Sequence, residues 1–288
     1  MKKNFLLLFA YGIAVCTACE SSSQKQVLQP LASANTEAPG PSATVTGIPL
    51  PAGYRRYPQT GKSFAAYLSN LQLKKDKTVY LYNGVPKANQ LAQYAVLDIS
   101  VGNKDLQQCA DAVMRLRAEY LFAAKKYDAI KFNAGDGTWL SYTAWLNGTR
   151  YRLHGNKLVA IGAAAKPANN THEILLNYLN VVFAYCGTAT LPASLQPKPL
   201  AAIQPGDVFL KPGAPGHAVI VMDMATNDNG EKIYMLAQSY MPAQNIHILN
   251  NPAKLQLNPW YILNRDSVIR TPEWTFYRNQ LYGWKQAG

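Results

Sequence analysis

The sequence predicts an α+β fold in which helices precede an antiparallel sheet, and three observations carry that expectation. Two long stretches, one ending near Ala124 and one between Thr171 and Gly187, repeat apolar residues at helical spacing. After Gln204, apolar runs of strand length follow one another at 207–210, 217–222 and 233–237, with Asn227-Asp228-Asn229-Gly230 placed to turn the last pair. Helical segments followed by runs of strands segregate into α+β architectures.

The elements are justified in chain order. Met1-Lys2-Lys3 followed by a short apolar run to Val15 has the layout of a signal peptide and is too short to span a bilayer core of ~30 Å. Ala18-Cys19 resembles the lipobox of bacterial lipoproteins, with Cys16 where Leu or Val is usual. The expectation is a signal peptide over 1–18, a lipidated Cys19 with a flexible tether over 19–46, and one folded domain over 47–288. A plain secreted chain is the alternative. The tether is rich in Ser, Ala, Gln and Pro and cannot bury enough apolar surface to fold.

Within the domain, SFAAYLSN at 63–70 reads as a short helix, 78–82 as a strand running into the turn Asn83-Gly84, and 95–99 as another strand. Asn103 or Asp105 is placed to cap a helix running to about Ala124, with Leu106, Ala110, Val113, Leu116, Tyr120 and Leu121 on its buried face. Residues 139–146 and 149–153 flank Asn147-Gly148, a hairpin signal. Asn170 or Thr171 opens the second helix, 191–204 is a Pro-rich connection, and a further strand is expected at 245–249.

Composition bounds the function. With 48% hydrophobic residues and 18 Tyr the chain can fill a large core. The formal charge of +12, or +10 once Lys2 and Lys3 leave with a signal peptide, arises from scarce acids, since only 15% of residues are charged. An exported protein of this balance meets cell-wall polymer or a membrane surface before nucleic acid. No nucleic-acid motif, zinc-type cysteine pairing or His cluster appears in the sequence, so no metal or other cofactor is expected.

The residues suited to chemistry are few. Cys109 falls in the first turns of the first long helix, where unpaired N–H groups and the helix dipole favour a thiolate. His217 opens an apolar strand directly after Pro212-Gly213-Ala214-Pro215-Gly216. Gln238 ends the next strand, and if the two strands form an antiparallel pair its amide can orient the imidazole. Gln244 is the alternative partner. The competing readings are a buried structural Cys109 and a Cys109–Cys186 disulfide, which an exported location permits. His154, His172 and His247 are expected to be solvated or locally capping, Asp207 to stabilise a turn, and Asp223 to lie too far from His217 to orient it.

The segments QCADAV, PGDVFLKPGAPGHAVIVMD and IYMLAQSY resemble the Cys-helix, Gly-His strand and polar-ended next strand of papain-like cell-wall peptidases and amidases, including CHAP domains. That resemblance implies a papain-like core, with the Cys109 helix packed on the antiparallel sheet carrying His217, plus an inserted hairpin and helix. It also implies cleavage of peptide or amide bonds in peptidoglycan, with Cys109 as nucleophile, His217 as base and Gln238 as orienting residue. Where the enzymes have a Ser-Gly pair after the nucleophile, this chain has Ala110-Asp111. From Pro49 to Trp284 the sequence also resembles an uncharacterised family of bacterial, largely Bacteroidetes, lipoproteins, through KFNAGDGTWLSYTAW, GHAVIVMDMA and LAQSYMPAQ. The alternative to an enzyme is an envelope lipoprotein that uses the same cleft to bind peptide or glycan, with Trp139, Tyr142 and Trp145 as groove aromatics.

Overall fold

A computed structural model describes residues 44–285 except 60, 163, 164, 168, 265 and 267. All of these belong to the compact unit Ala38–Gly288. The proposed signal peptide and Cys19 lie outside the described residues. Val45 is buried in the core, so the fold already takes in the end of the stretch assigned to the tether.

Strand β1 (Tyr54–Arg56) precedes α1 (Phe64–Ser69), whose N-terminus is capped by Ser63 accepting from the Ala66 N–H. The expected strand at 78–82 forms isolated bridges instead, because side chains take the place of strand partners. Asn245 Oδ1 accepts from Tyr80 N–H at 2.8 Å, and the Gln90 amide holds both the N–H and the C=O of Val79. β2 covers Gln93–Val96.

Helix α2 (Cys109–Ala123) starts later than Asn103 or Asp105 would place it. Gln108 is the N-cap, and its N–H donates to Asp111 Oδ2 at 3.0 Å in a capping box. Asp105 is engaged elsewhere, accepting from the Ala243 N–H at 2.6 Å. Cys109 is therefore the first helical residue.

β3 (Lys131–Asn133) and β4 (Trp139–Ser141) form a hairpin, and α3 (Tyr142–Leu146) follows directly. The expected hairpin about Asn147-Gly148 is replaced by this short helix. Ser141 caps it, Tyr142 and Trp145 bury their rings, and Asn147-Gly148, with Gly148 at φ +94°, ends it. The hairpin lies one element later, between β5 (Arg150–His154) and β6 (Lys157–Ile161). α4 (His172–Tyr185) is capped by Thr171 as expected.

The connection at 191–204 contains β7 (Leu195–Pro197). β8 (Val208–Lys211), β9 (His217–Asn227), β10 (Lys232–Gln238), β11 (His247–Leu249) and β12 (Tyr261–Ile262) follow. β13 (Val268–Arg270) pairs with β14 (Thr275–Tyr277), and β15 (Leu281–Trp284) closes the fold. The main sheet runs β2-β11-β10-β9-β8-β15-β7, with β1 added to β9 and β12 to β10, every pair antiparallel. The molecule is mixed α+β, as the sequence predicts.

β9 is the centre of the sheet, and both of its faces are covered. Ala218, Ile220 and Met222 join the cluster that contains α2 and α4, while Val219 and Val221 join a second cluster with Phe209 and Phe276. A strand buried on both faces reads as a continuous apolar run, which explains HAVIVM. Each fully buried Val, Ile or Leu there contributes about 1.5–3 kcal/mol relative to exposure. Among the described residues no helix is long and apolar enough to cross a membrane.

Candidate functional site

The start of α2 and the start of β9 meet at one edge of the core. α2 packs on β9, which brings Cys109 to the first residues of the strand. Before the strand, the loop is drawn tight by Thr188, whose hydroxyl donates to Gly213 C=O at 2.9 Å. A Cβ at Gly216 would meet Gly213 O at 2.2 Å and Thr188 Oγ1 at 2.4 Å, so only glycine fits directly before His217.

β9 and β10 are adjacent and antiparallel, and His217 Nε2 lies 2.8 Å from Gln238 Oε1. The rest of the Gln238 amide fixes which atom donates. Gln238 Nε2 lies 2.7 Å from Glu273 Oε2 and 3.4 Å from His247 Nε2. A carboxylate only accepts, and His247 Nδ1 is committed as donor to the Asn245 C=O at 2.9 Å, which leaves His247 Nε2 as acceptor. Both amide hydrogens are therefore spent, Gln238 Oε1 must accept, and His217 carries its proton on Nε2. Nδ1 is the lone-pair nitrogen, with no hydrogen-bond partner among the described residues. Lys87 Nζ anchors the outer end of the chain at 2.5 Å from Glu273 Oε2. Tyr240, Trp274 and Phe276 surround the His217 ring at centroid distances of 4.8, 5.2 and 5.8 Å.

Burial pushes His217 down to about 4, against the opposing effects of the Gln238 hydrogen bond and the Glu273 charge. His247 is pushed down to about 3, again chiefly by burial. His247 is thus a buried member of the network, which corrects the expectation of a solvated or capping side chain. Lys87 and Glu273 were not anticipated from sequence.

Cys109 is 6% exposed. Burial raises its thiol above the ordinary value, while the N–H groups of Ala218, Ala110 and Cys109 itself favour the thiolate and the Asp111 charge opposes it. The expectation that the helix start yields a thiolate is corrected by this balance, because desolvation is the largest effect. By strand alternation His217 leaves β9 on the face of Val219, whereas the thiol approaches the Ala218 N–H from the α2 side. No hydrogen bond joins thiol and imidazole in this arrangement.

Cys109 and Cys186 are both free thiols, so the alternative of a disulfide between them is not realised, and burial pushes Cys186 up to about 12. Gln244 is buried with its Nε2 donating to the Pro242 C=O, and it is Gln238 that pairs with His217. Asp207 accepts from the Gln204 N–H and from Lys198 Nζ at 2.7 Å, the turn role expected of it, and burial pushes it up to about 6. Asp223 pairs with Arg56 at 2.6 Å. His154 is exposed in β5, and His172 Nε2 lies 2.8 Å from both oxygens of Glu119. Of the expected groove aromatics, Tyr142 and Trp145 are core residues and Trp139 alone is exposed, at 42%. Among the described residues no group of His, Cys, Asp or Glu is arranged to hold a metal ion.

No curated protein and no solved structure matches the chain. Residues 45–282 match the family described as Domain of unknown function (4846), and the chain belongs to that family.

Proposed function

We propose that the protein is an exported, lipid-anchored cysteine peptidase or amidase that cleaves cell-wall peptide or another envelope amide on a papain-like core. The observation that carries this reading is the fully committed Gln238 amide, which leaves Nδ1 of His217 as a base at the same strand end that receives Cys109. Both groups are neutral near pH 7, so proton transfer accompanies attack. This step requires the thiol and imidazole to turn toward one another around the start of β9: Cys109 Sγ then bonds to the carbonyl carbon while its proton passes to Nδ1, and that proton goes to the departing amine as the C–N bond breaks. Water, deprotonated by Nδ1, hydrolyses the resulting thioester to a carboxylic acid and restores the thiol. Backbone N–H groups at the start of α2 are the candidates to receive the oxyanion. The scarcity of acids in the chain suits an anionic wall polymer, and the lipid on Cys19 would hold the domain at the inner or outer membrane. The test is release of soluble stem-peptide fragments from purified peptidoglycan by wild type and Cys186→Ala but not by Cys109→Ala.

A second reading, an envelope protein that binds without cleaving, draws on the exposed Trp139, which lines a cavity of about 300 Å³ with Lys131 and Trp284. It predicts peptidoglycan binding that is indifferent to Cys109.

The acid limb of activity is expected near pH 4, since His217 must be unprotonated to accept the thiol proton and burial holds it there. The Lys87 charge lowers the His217 value and the Glu273 charge raises it. Lys87→Met should therefore move the limb to higher pH and Glu273→Gln to lower pH, as read from kcat/KM between pH 3 and 8. A limb near 6.5 that neither variant moves would contradict the assignment.

A further inference from the structure

We infer that the cavity beside Cys109 is a subsite for a positively charged amine, with Asp111 as its counter-charge, so that the substrate presents a free amino group close to the bond attacked. The link to a scissile bond rests on the proposed nucleophile, whereas amine binding itself does not. The cavity, about 280 Å³, is lined by Cys109, Asp111, Asp105, Cys186, Thr188 and Gly216 among others. Among the described residues lining it there is no Lys, Arg or His, in a chain whose net charge is +12. Asp111 is 5% exposed. Its Oδ2 holds the Gln108 N–H, while Oδ1 is buried without a hydrogen-bond partner. A buried carboxyl oxygen left in that state is costly, and a ligand that both donates a hydrogen bond and carries positive charge offsets the cost of ionising it most fully.

The protonation of Asp111 supplies a second readout. Burial pushes its carboxyl up to about 8, so at pH 7 it carries its proton. An arriving ammonium favours the carboxylate and releases that proton. The opposite situation, a neutral carboxylic acid donating to a substrate carbonyl, would bind amine and acetylated ligands alike and release none.

The experiment is calorimetry on full-length Cys109→Ala at pH 7, in two buffers of different ionisation enthalpy, with alanyl-alanine amide and its N-acetyl derivative as probes. The free amine is expected to bind about 10–100-fold more tightly, the range of a charge-assisted hydrogen bond, and to release close to one proton. Asp111→Asn, close to the protonated carboxyl in shape, is expected to abolish both effects. Equal binding of the two probes, no binding of either, or a preference that survives Asp111→Asn would overturn the subsite. The comparison of probes on the Asp111-containing protein stands even where Asp111→Asn fails to fold. An amine preference in a protein whose wild type cleaves no peptidoglycan would uphold the subsite and remove the hydrolase. Cleavage without the preference would do the reverse.

Discussion

Cys109→Ala is expected to lower the rate of peptide release from peptidoglycan by a factor of about 10⁴–10⁶, the loss seen when the nucleophile of a cooperating set is removed. The variant should fold normally. Ala is well tolerated at the first turn of a helix, the capping box of Gln108 and Asp111 does not involve the thiol, and the residue lines a cavity, so truncation does not open a sealed core. Circular dichroism and thermal unfolding should therefore match wild type within about 1 kcal/mol, the ordinary range for a single substitution. Cys186→Ala serves as the control, since that thiol borders the same cavity but lies at the end of α4, where burial pushes it up to about 12. Its rate should stay within a small factor of wild type. Equal losses in both variants would indicate a packing role for the two thiols.

Gln238→Leu is expected to cost about 10³–10⁴ in kcat with little change in KM, the scale on which a wrong imidazole tautomer impairs a nucleophile-base pair. Leu keeps the volume of the side chain but neither accepts from His217 Nε2–H nor donates to Glu273 and His247. The His217 ring is then free to carry its proton on Nδ1, where it cannot accept one from the thiol. Gln238→Glu separates orientation from charge. Its carboxylate still accepts from Nε2–H, but it faces Glu273 across the gap now bridged by an N–H donor, and two like charges there raise the His217 value. Partial activity with the acid limb displaced to higher pH is the expected outcome for that variant. Wild-type activity in Gln238→Leu would show that the buried amide serves packing alone.

These expectations trace back unevenly to the sequence. α4 was legible because the Thr171 cap, the apolar spacing and Gly187 agree, and the β9–β10 pair was legible because two apolar runs flank Asn227-Asp228-Asn229-Gly230. Local signals failed where the chain used them otherwise. Asn147-Gly148 carries a hairpin signature, yet Ser141 caps a helical turn ahead of it, and the same dipeptide suits the left-handed end of a helix.

The hydrogen-bonded pair His217–Gln238 is legible because each residue stands at the end of a strand, and Cys109 stands at the start of α2, close to where the sequence places it. Lys87 and Glu273 belong to Pro-containing loops distant in sequence, VPKAN and TPEW, and no periodicity announces that one neutralises the other beside Gln238. His247 looked like an alternating strand residue. Its partner Gln238 lies across the ladder, and register is set by tertiary pairing. The charge state of Cys109 is not legible in the sequence for a related reason. A helix start favours thiolate, but the degree of desolvation depends on what packs over it.

The measurement that tests the central claim most directly is trapping of the nucleophile with a peptidyl chloromethyl ketone, followed by intact-protein mass spectrometry and peptide mapping under reducing, native conditions at pH 7. The account predicts one adduct, on Cys109 and not on Cys186, formed at least about 100-fold more slowly in His217→Ala, the lower end of what a positioned base contributes. No adduct on Cys109, or the same rate of modification with and without His217, would contradict it.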